Sequence, residues 1–222
     1  MASPADIREP IARSPIKPTE PVVVRDGWEL CGRTSTASLT LIDATAMAKV
    51  LVKADANGPY TAAALAHRRA IRHGAGAGVV LEIGSSPGEW LHVGWPGTSG
   101  TLLAKLGADT ADVHEHISVI DLTHGRAMMR LTGGDAPSLL AKICAIDLSD
   151  SVTPNLSAFR SSVAKTVTDV VRDDLVGDNQ SGRRSYLLHC ERSSGQYLFD
   201  CVLDAGTEFE IDVAGLISEL AL

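Results

Sequence analysis

The chain has 222 residues, 45% hydrophobic and 21% charged, with a formal charge of −7. That composition fits a soluble globular protein with room for one sizeable core or two fused halves. The acidic balance argues against nonspecific nucleic-acid binding, and no apolar run approaches the ~20 residues a membrane helix needs.

The amino terminus is polar and rich in proline (Pro4, Pro10, Pro15, Pro18, Pro21) and lacks the apolar stretch of a secretory signal. Residues 1–30 read as a mobile tail and residues 31–222 as a single body. Within that body, Leu39–Ile42 and Lys49–Val52 have the character of short strands, and Thr61–His73 that of an alanine-rich helix ended by Gly74. Val79–Ile83 and Trp90–Gly94 form a hairpin across Ser85-Ser86-Pro87-Gly88, where proline and glycine supply turn geometry. A helix capped by Thr98 or Ser99 follows, with Leu102, Leu103 and Leu106 on one face and Gly107 as its stop.

Further on, Ile117–Leu122 and Arg126–Leu131 read as strands. Asp135 is placed to cap a helix whose first turn contains Pro137 and whose apolar stripe is Leu139, Leu140, Ile143 and Cys144. Val163–Val171 and Ser185–Cys190 are predicted to pair around a polar, disordered connection, Asp173–Arg184. Ser193 or Ser194 caps an amphipathic helix through Tyr197, Leu198, Cys201, Val202 and Ala205, and a short helix from Val213 to Leu220 closes the chain. Strand, strand and helix recurring in mixed order imply an α+β fold with mixed or antiparallel sheets.

The two halves, about 38–110 and 116–212, share a grammar. Ile42-Asp43-Ala44-Thr45 returns as Ile120-Asp121-Leu122-Thr123. Thr98-Ser99-Gly100 and Ser193-Ser194-Gly195 each open a helix. The repetition suggests a duplicated strand-strand-helix unit.

The motifs that could carry chemistry are weak. Gly84-Ser85-Ser86-Pro87-Gly88 matches a nucleophile elbow in letters, but Pro87 lacks the amide that would serve as oxyanion donor, and a strand follows instead of a helix. The glycine-rich run His73–Gly78 leaves a helix and enters a strand, the reverse of a dinucleotide loop. His114-Glu115-His116 lacks convincing further ligands, so no metal is expected. His67, Arg68, Arg69, Arg72 and His73 form a basic surface on the expected helix, solvated or open to an acidic partner. The four cysteines, Cys31, Cys144, Cys190 and Cys201, form no C-x-x-C pair and suit reduced thiols in a cytoplasmic protein. With no self-sufficient active site in view, the residues favour a subunit or binding module over an independent enzyme.

From Glu82 onward the chain resembles the gamma subunit of heterotetrameric sarcosine oxidase, a relative of the folate-binding domain of the glycine cleavage T-protein (aminomethyltransferase). Gly84–Val93 (GSSPGEWLHV) is similar to a G-P-D-E-W-L-L stretch, and Asp121–Leu148 (DLTHGRAMMRLTGGDAPSLLAKICAIDL) to the family's central D-x-S-H-G-R block. Phe159–Val171 and Tyr186–Glu208, with Arg192-Ser193 and Tyr197-Leu198-Phe199-Asp200, continue it, and Ser14-Pro15-Ile16 matches near the start. Ser86-Pro87-Gly88 departs from the family's P-D-E order, and the basic helix looks like an addition. The resemblance implies an aminomethyltransferase-like fold and a non-catalytic role in a cytoplasmic complex. That complex removes the methyl group of sarcosine or a related N-methyl amine, giving glycine and a one-carbon unit. FAD, FMN, NAD and tetrahydrofolate would sit on partner subunits, the large flavin-binding alpha and beta chains accompanied by a small delta chain, with no nucleic acid and no membrane involved. A second reading is a free-standing folate-dependent transferase, in which Asp169 would orient the folate amine and Arg126 or Arg192 would hold an anionic tail.

Overall fold

The computed structural model describes residues 10–74, 78–175 and 183–216. In chain order the elements are β1 (Ala12–Arg13), β2 (Val22–Arg25), β3 (Trp28–Cys31), β4 (Leu39–Asp43), β5 (Ala48–Lys53), α1 (Pro59–Ala63), β6 (Ala70–His73), β7 (Val80–Ser86), β8 (Glu89–Gly94) and α2 (Ser99–Thr110). They continue with β9 (Ser118–Asp121), β10 (Arg126–Gly133), α3 (Ala136–Ile143), β11 (Ala158–Val163), β12 (Thr166–Arg172), β13 (Ser185–Glu191), α4 (Gly195–Gly206) and β14 (Asp212–Ala214).

Two sheets form the body. One has the order β11-β12-β13-β10-β4-β14, antiparallel except where β14 joins β4; the other is β6-β7-β8-β5-β9, antiparallel throughout. Three apolar clusters separate four layers. The first packs α3 and α4 on the six-stranded sheet through Leu139, Leu140, Leu198 and Val202. The second lies between the sheets and holds Ile42, Leu81, Leu91, Met128 and Leu187. The third sets Leu102 and Leu106 of α2 against Val50, Val52 and Trp90. Strand β10 shows why this sequence suits a doubly covered sheet: Ala127, Met129 and Leu131 face the helices while Met128 faces the other sheet.

The repeated Ile-Asp-x-Thr strings mark the two places where the chain changes sheets. β4 leaves the six-stranded sheet for β5, and β9 leaves the five-stranded sheet for β10. Asp43 accepts the Thr45 amide at 2.9 Å, and Asp121 accepts the Thr123 amide at 2.8 Å, so each strand ends in the same side-chain turn. The contacts beyond are reciprocal. Ala44 N–H donates to the Met128 carbonyl while the Thr45 hydroxyl accepts the Met128 amide; Leu122 N–H donates to the Lys49 carbonyl while the Thr123 hydroxyl accepts the Lys49 amide. Lys49 is fully buried there, and its ammonium donates to the Thr45 and Met47 carbonyls at 2.7 Å each. Burial lowers its pKa to about 7 against the opposing pull of Asp43 and Asp121.

Several expected elements differ. Within the segment 1–30 read as a mobile tail, β1 and β2 join β3, which runs on to Cys31, in a three-stranded sheet of order β1-β3-β2, and Ile16 is buried in the helix-side core. The Thr61–His73 helix is absent: α1 stops at Ala63, Arg68 takes a left-handed φ of 68°, and β6 pairs with β7. Sheet pairing overrides alanine propensity here, helped by the Trp90 indole donating to the Leu65 carbonyl. Helix α2 runs through Gly107 to Thr110, because Leu102, Leu106 and Thr110 continue one buried face; the Thr98 hydroxyl donates to the Trp95 carbonyl instead of capping. Of Val163–Val171, the part from Thr166 forms β12 and pairs with β13 as expected, while Val163 ends β11 and the chain turns at Ala164 and Lys165. Tyr197 points outward from α4 while Phe199 is buried. Val213, expected in a helix, lies in β14 beside β4; residues 217–222 lie outside the described residues. So does most of the expected polar connection, although Asp173 at its start is completely buried.

The Ser86–Glu89 turn is the expected hairpin, with Pro87 and Gly88 at its centre and Gly88 at φ 79°. Glu115, flanked by the two histidines, accepts the Asp55 and Tyr60 amides at the start of α1. Among the described residues no cluster of three or more His, Cys, Asp or Glu side chains is placed to hold a metal. Nor is any helix among them long and apolar enough to cross a membrane.

Candidate functional site

A cleft of about 380 Å³ opens between the two sheets. Leu51, Leu91 and Leu122 line it beside Ser85 and Glu89 of the five-stranded sheet, and the six-stranded sheet supplies its arginines, Asp169, His189 and Glu191 along with Val167. Arg160 on β11, Asp169 on β12, His189 on β13 and Met128 on β10 are successive cross-strand partners, so they form one row across four strands. Arg126, two residues before Met128, points along the same face and closes the row.

Both carboxylate oxygens of Asp169 accept from arginines. Oδ1 accepts from Arg160 Nε at 2.7 Å, and Oδ2 accepts from Arg126 Nη2 at 2.7 Å and from Arg160 Nη2 at 3.3 Å. Arg126 is spread further: Nη1 donates to Glu191 at 2.8 Å, and Nε donates to His189 Nδ1 at 3.1 Å. Accepting that hydrogen bond places the imidazole proton on Nε2, which is buried and has no partner among the described residues. Burial drives the His189 pKa down to about 3, with Arg126 adding to the fall and Asp169 opposing it. The ring is therefore neutral at physiological pH. The same burial raises the Cys190 thiol to about 11, so it is no nucleophile at neutral pH.

Of the three folate candidates, Arg126 and Asp169 come together in this cleft. Arg192 does not: it donates to the Arg13 and His124 carbonyls, pinning the amino-terminal strand. Arg160, His189 and Glu191 belong to the site and were missed. Reading Val163–Val171 as one strand hid the first. A turn at Ala164-Lys165 places Arg160 opposite Asp169, and the opposite charges symmetric about that dipeptide were the available signal.

What this arrangement does chemically is hold charge in place. A carboxylate whose lone pairs already accept two guanidinium groups is a poor acceptor for a ligand amine or proton. The cleft volume is at the small end of the range for ligand sites. Asp169→Asn is expected to cost about 1–3 kcal/mol of unfolding free energy, since one buried charge-assisted contact is lost while half-exposed Arg160 turns to water. It should also free the Arg160 guanidinium and leave Arg126 paired only with Glu191, so that added sulfate raises the melting temperature of the variant more than that of the wild type. Equal sulfate responses would contradict this assignment.

No protein-family model and no curated protein matches this sequence. Among solved structures, the chain resembles heterotetrameric sarcosine oxidase from Corynebacterium sp. U-96, solved in complex with pyrrole 2-carboxylate. The TM-score is 0.62 at 20% identity, over 80% of this chain and 88% of that chain. It also resembles the glycine cleavage system aminomethyltransferase T from Bartonella henselae, with a TM-score of 0.66 at 15% identity, over 87% of this chain. The match spans only 55% of the transferase's own length. The chain thus has the mixed α+β fold shared by an aminomethyltransferase and a chain of a sarcosine oxidase.

Proposed function

We propose that the chain is a non-catalytic subunit of a sarcosine-oxidase-type assembly, in the position of its gamma subunit. It supports oxidative demethylation of sarcosine, or a related N-methyl amine, to glycine and a one-carbon unit. Alpha and beta flavoprotein chains and a small delta chain would be its partners in the cytoplasm, carrying FAD, FMN, NAD and tetrahydrofolate. The observation that carries this reading is the extent of the likeness. It runs over most of both chains in the sarcosine oxidase, but reaches little more than half of the transferase. The Asp169 clamp agrees, because a folate-orienting carboxylate needs an oxygen left for its ligand. The reciprocal hydrogen bonds at both sheet crossovers support the further proposal that the body descends from one duplicated unit.

The second reading, a free-standing tetrahydrofolate-binding transferase-like protein, draws on Arg126 and Asp169 sharing one cleft. Two measurements separate them. On co-expression with the larger flavoprotein subunits, the chain is expected to co-elute with them and to be required for stable, sarcosine-dependent peroxide production. Tetrahydrofolate is expected to leave the melting temperature of the isolated chain unchanged. Stabilisation by tetrahydrofolate together with no association would reverse the assignment.

A further inference from the structure

The basic residues that stood out in the sequence are divided by the fold. Arg72 turns to Asp173 and His73 to Glu82, whereas His67, Arg68 and Arg69 remain exposed in the loop before β6. This loop is where the two sheets are sewn together. Arg68 N–H donates to the Gly84 carbonyl, Gly84 N–H to Arg69, Ala158 N–H to Arg68, and Ala70 N–H to Leu156. The fit requires Gly84 itself, since a Cβ there would lie 2.5 Å from the Ala66 carbonyl oxygen.

Two bulky residues sit in left-handed backbone on opposite sides of that seam: Arg68 at φ 68° and Leu156 at φ 64°. A residue with a Cβ is strained in this conformation, and each is held in place by hydrogen bonds from both sheets. The strain projects Arg68 outward. Beside it lies a shallow cleft of about 230 Å³ lined by Arg68, Arg69, Ile146, Val152, Pro154 and Phe159. Val152 is 58% exposed and Ile146 36%. In a protein with 27 acidic residues, the Arg68 and Arg69 guanidiniums form no ion pair among the described residues, whereas Arg72, Arg126, Arg130, Arg160, Arg172 and Arg184 all do.

The geometry points to this seam as a docking surface for a partner polypeptide whose contacting segment is acidic with an apolar residue beside the charge. The two guanidiniums take the carboxylates, and Val152, Ile146 and Phe159 take the apolar side chain. Resting on the subunit reading above, the inference places that segment on a larger flavoprotein chain of the assembly.

The test is co-expression with those chains, with affinity measured at several salt concentrations. Arg68→Glu with Arg69→Glu is expected to weaken association roughly tenfold or more and to flatten its salt dependence. The charge-matched control Lys105→Glu with Lys165→Glu should leave both unchanged. Arg68→Gly guards against misfolding: it relieves the left-handed strain, so it should raise the melting temperature while still weakening association. Wild-type affinity in the charge-reversed variant, with the assembly intact, would overturn the docking surface and leave the subunit reading standing. Failure of the wild type to associate would overturn both. If the variants lose binding of inorganic phosphate or a single-stranded oligonucleotide while keeping partner affinity, the seam is an anion site and the docking proposal fails.

Discussion

Asp173→Ala is expected to lower the unfolding free energy by about 3–5 kcal/mol, the usual loss when one partner of a buried ion pair is removed. Asp173 is completely buried and sits between two guanidiniums. Its Oδ2 accepts from Arg130 Nη2 at 2.7 Å and its Oδ1 from Arg72 Nε at 2.9 Å. Arg130 is 1% exposed, and its Nη1 also donates to Ser185 Oγ at 2.7 Å. Burial lowers the Arg130 pKa and Asp173 opposes that shift, so deleting the acid leaves a cation in the interior with its main counter-charge gone. Arg72, about a third exposed, can turn to water; Arg130 cannot. Replacing both buried groups, as Arg130→Met with Asp173→Leu, should recover most of the loss, because packed apolar groups of similar volume avoid desolvating charge. Denaturant unfolding of the single and double variants measures this. A single-variant loss under about 1 kcal/mol would show that the pair is solvated after all.

Acid should destabilise the protein through His189. In the folded state its pKa is about 3, against an ordinary histidine value of 6.5, and burial is the main cause. The unfolded chain binds a proton at this residue below pH 6.5 and the folded chain does not. The stability that neutral His189 contributes is therefore fully present above pH 6.5 and lost progressively as pH falls toward 3. The limiting slope is about 1.4 kcal/mol per pH unit, and the whole loss is on the order of 5 kcal/mol. His189→Gln keeps an acceptor for Arg126 Nε without a titrating ring, so unfolding free energy measured from pH 7 to pH 4 should fall less steeply in the variant. Parallel curves would mean that the imidazole is protonated in the native protein. Asp43, whose pKa burial raises, contributes with the opposite sign in acid, and taking the difference between the two proteins removes it.

What the sequence disclosed follows from range. The strands β4, β5, β10 and β13, the β7–β8 hairpin and the stripe of α3 were legible because each is written in local alternation, local turn residues or helical spacing. Failures occurred where distant contacts decide. Thr61–His73 has the composition of a helix, but its carbonyls and amides are claimed by Gly84 on β7 and by Leu156 and Ala158 at the entry to β11. The amino-terminal segment looks unstructured until Ile16 finds the core and Arg192, 179 residues away, takes the Arg13 carbonyl. Asp173 sits in a polar run that promises solvent, and only the fold shows the arginine waiting beneath it. For the site, Arg126 and Asp169 came from the resemblance; Arg160 needed the β11–β12 register, which depends on recognising the turn at Ala164, and His189 needed the β12–β13 register.

The two sheet crossovers interlace the two halves of the chain. Strand β4, from the first half of the chain, is inserted beside β10 from the second, while β9 from the second half completes the sheet built by the first. A fragment ending near the midpoint would keep β5 but lose the hydroxyl that closes its ladder, and its complement would lose the same at β10. Each half completes its sheet only with a strand and a hydroxyl from the other.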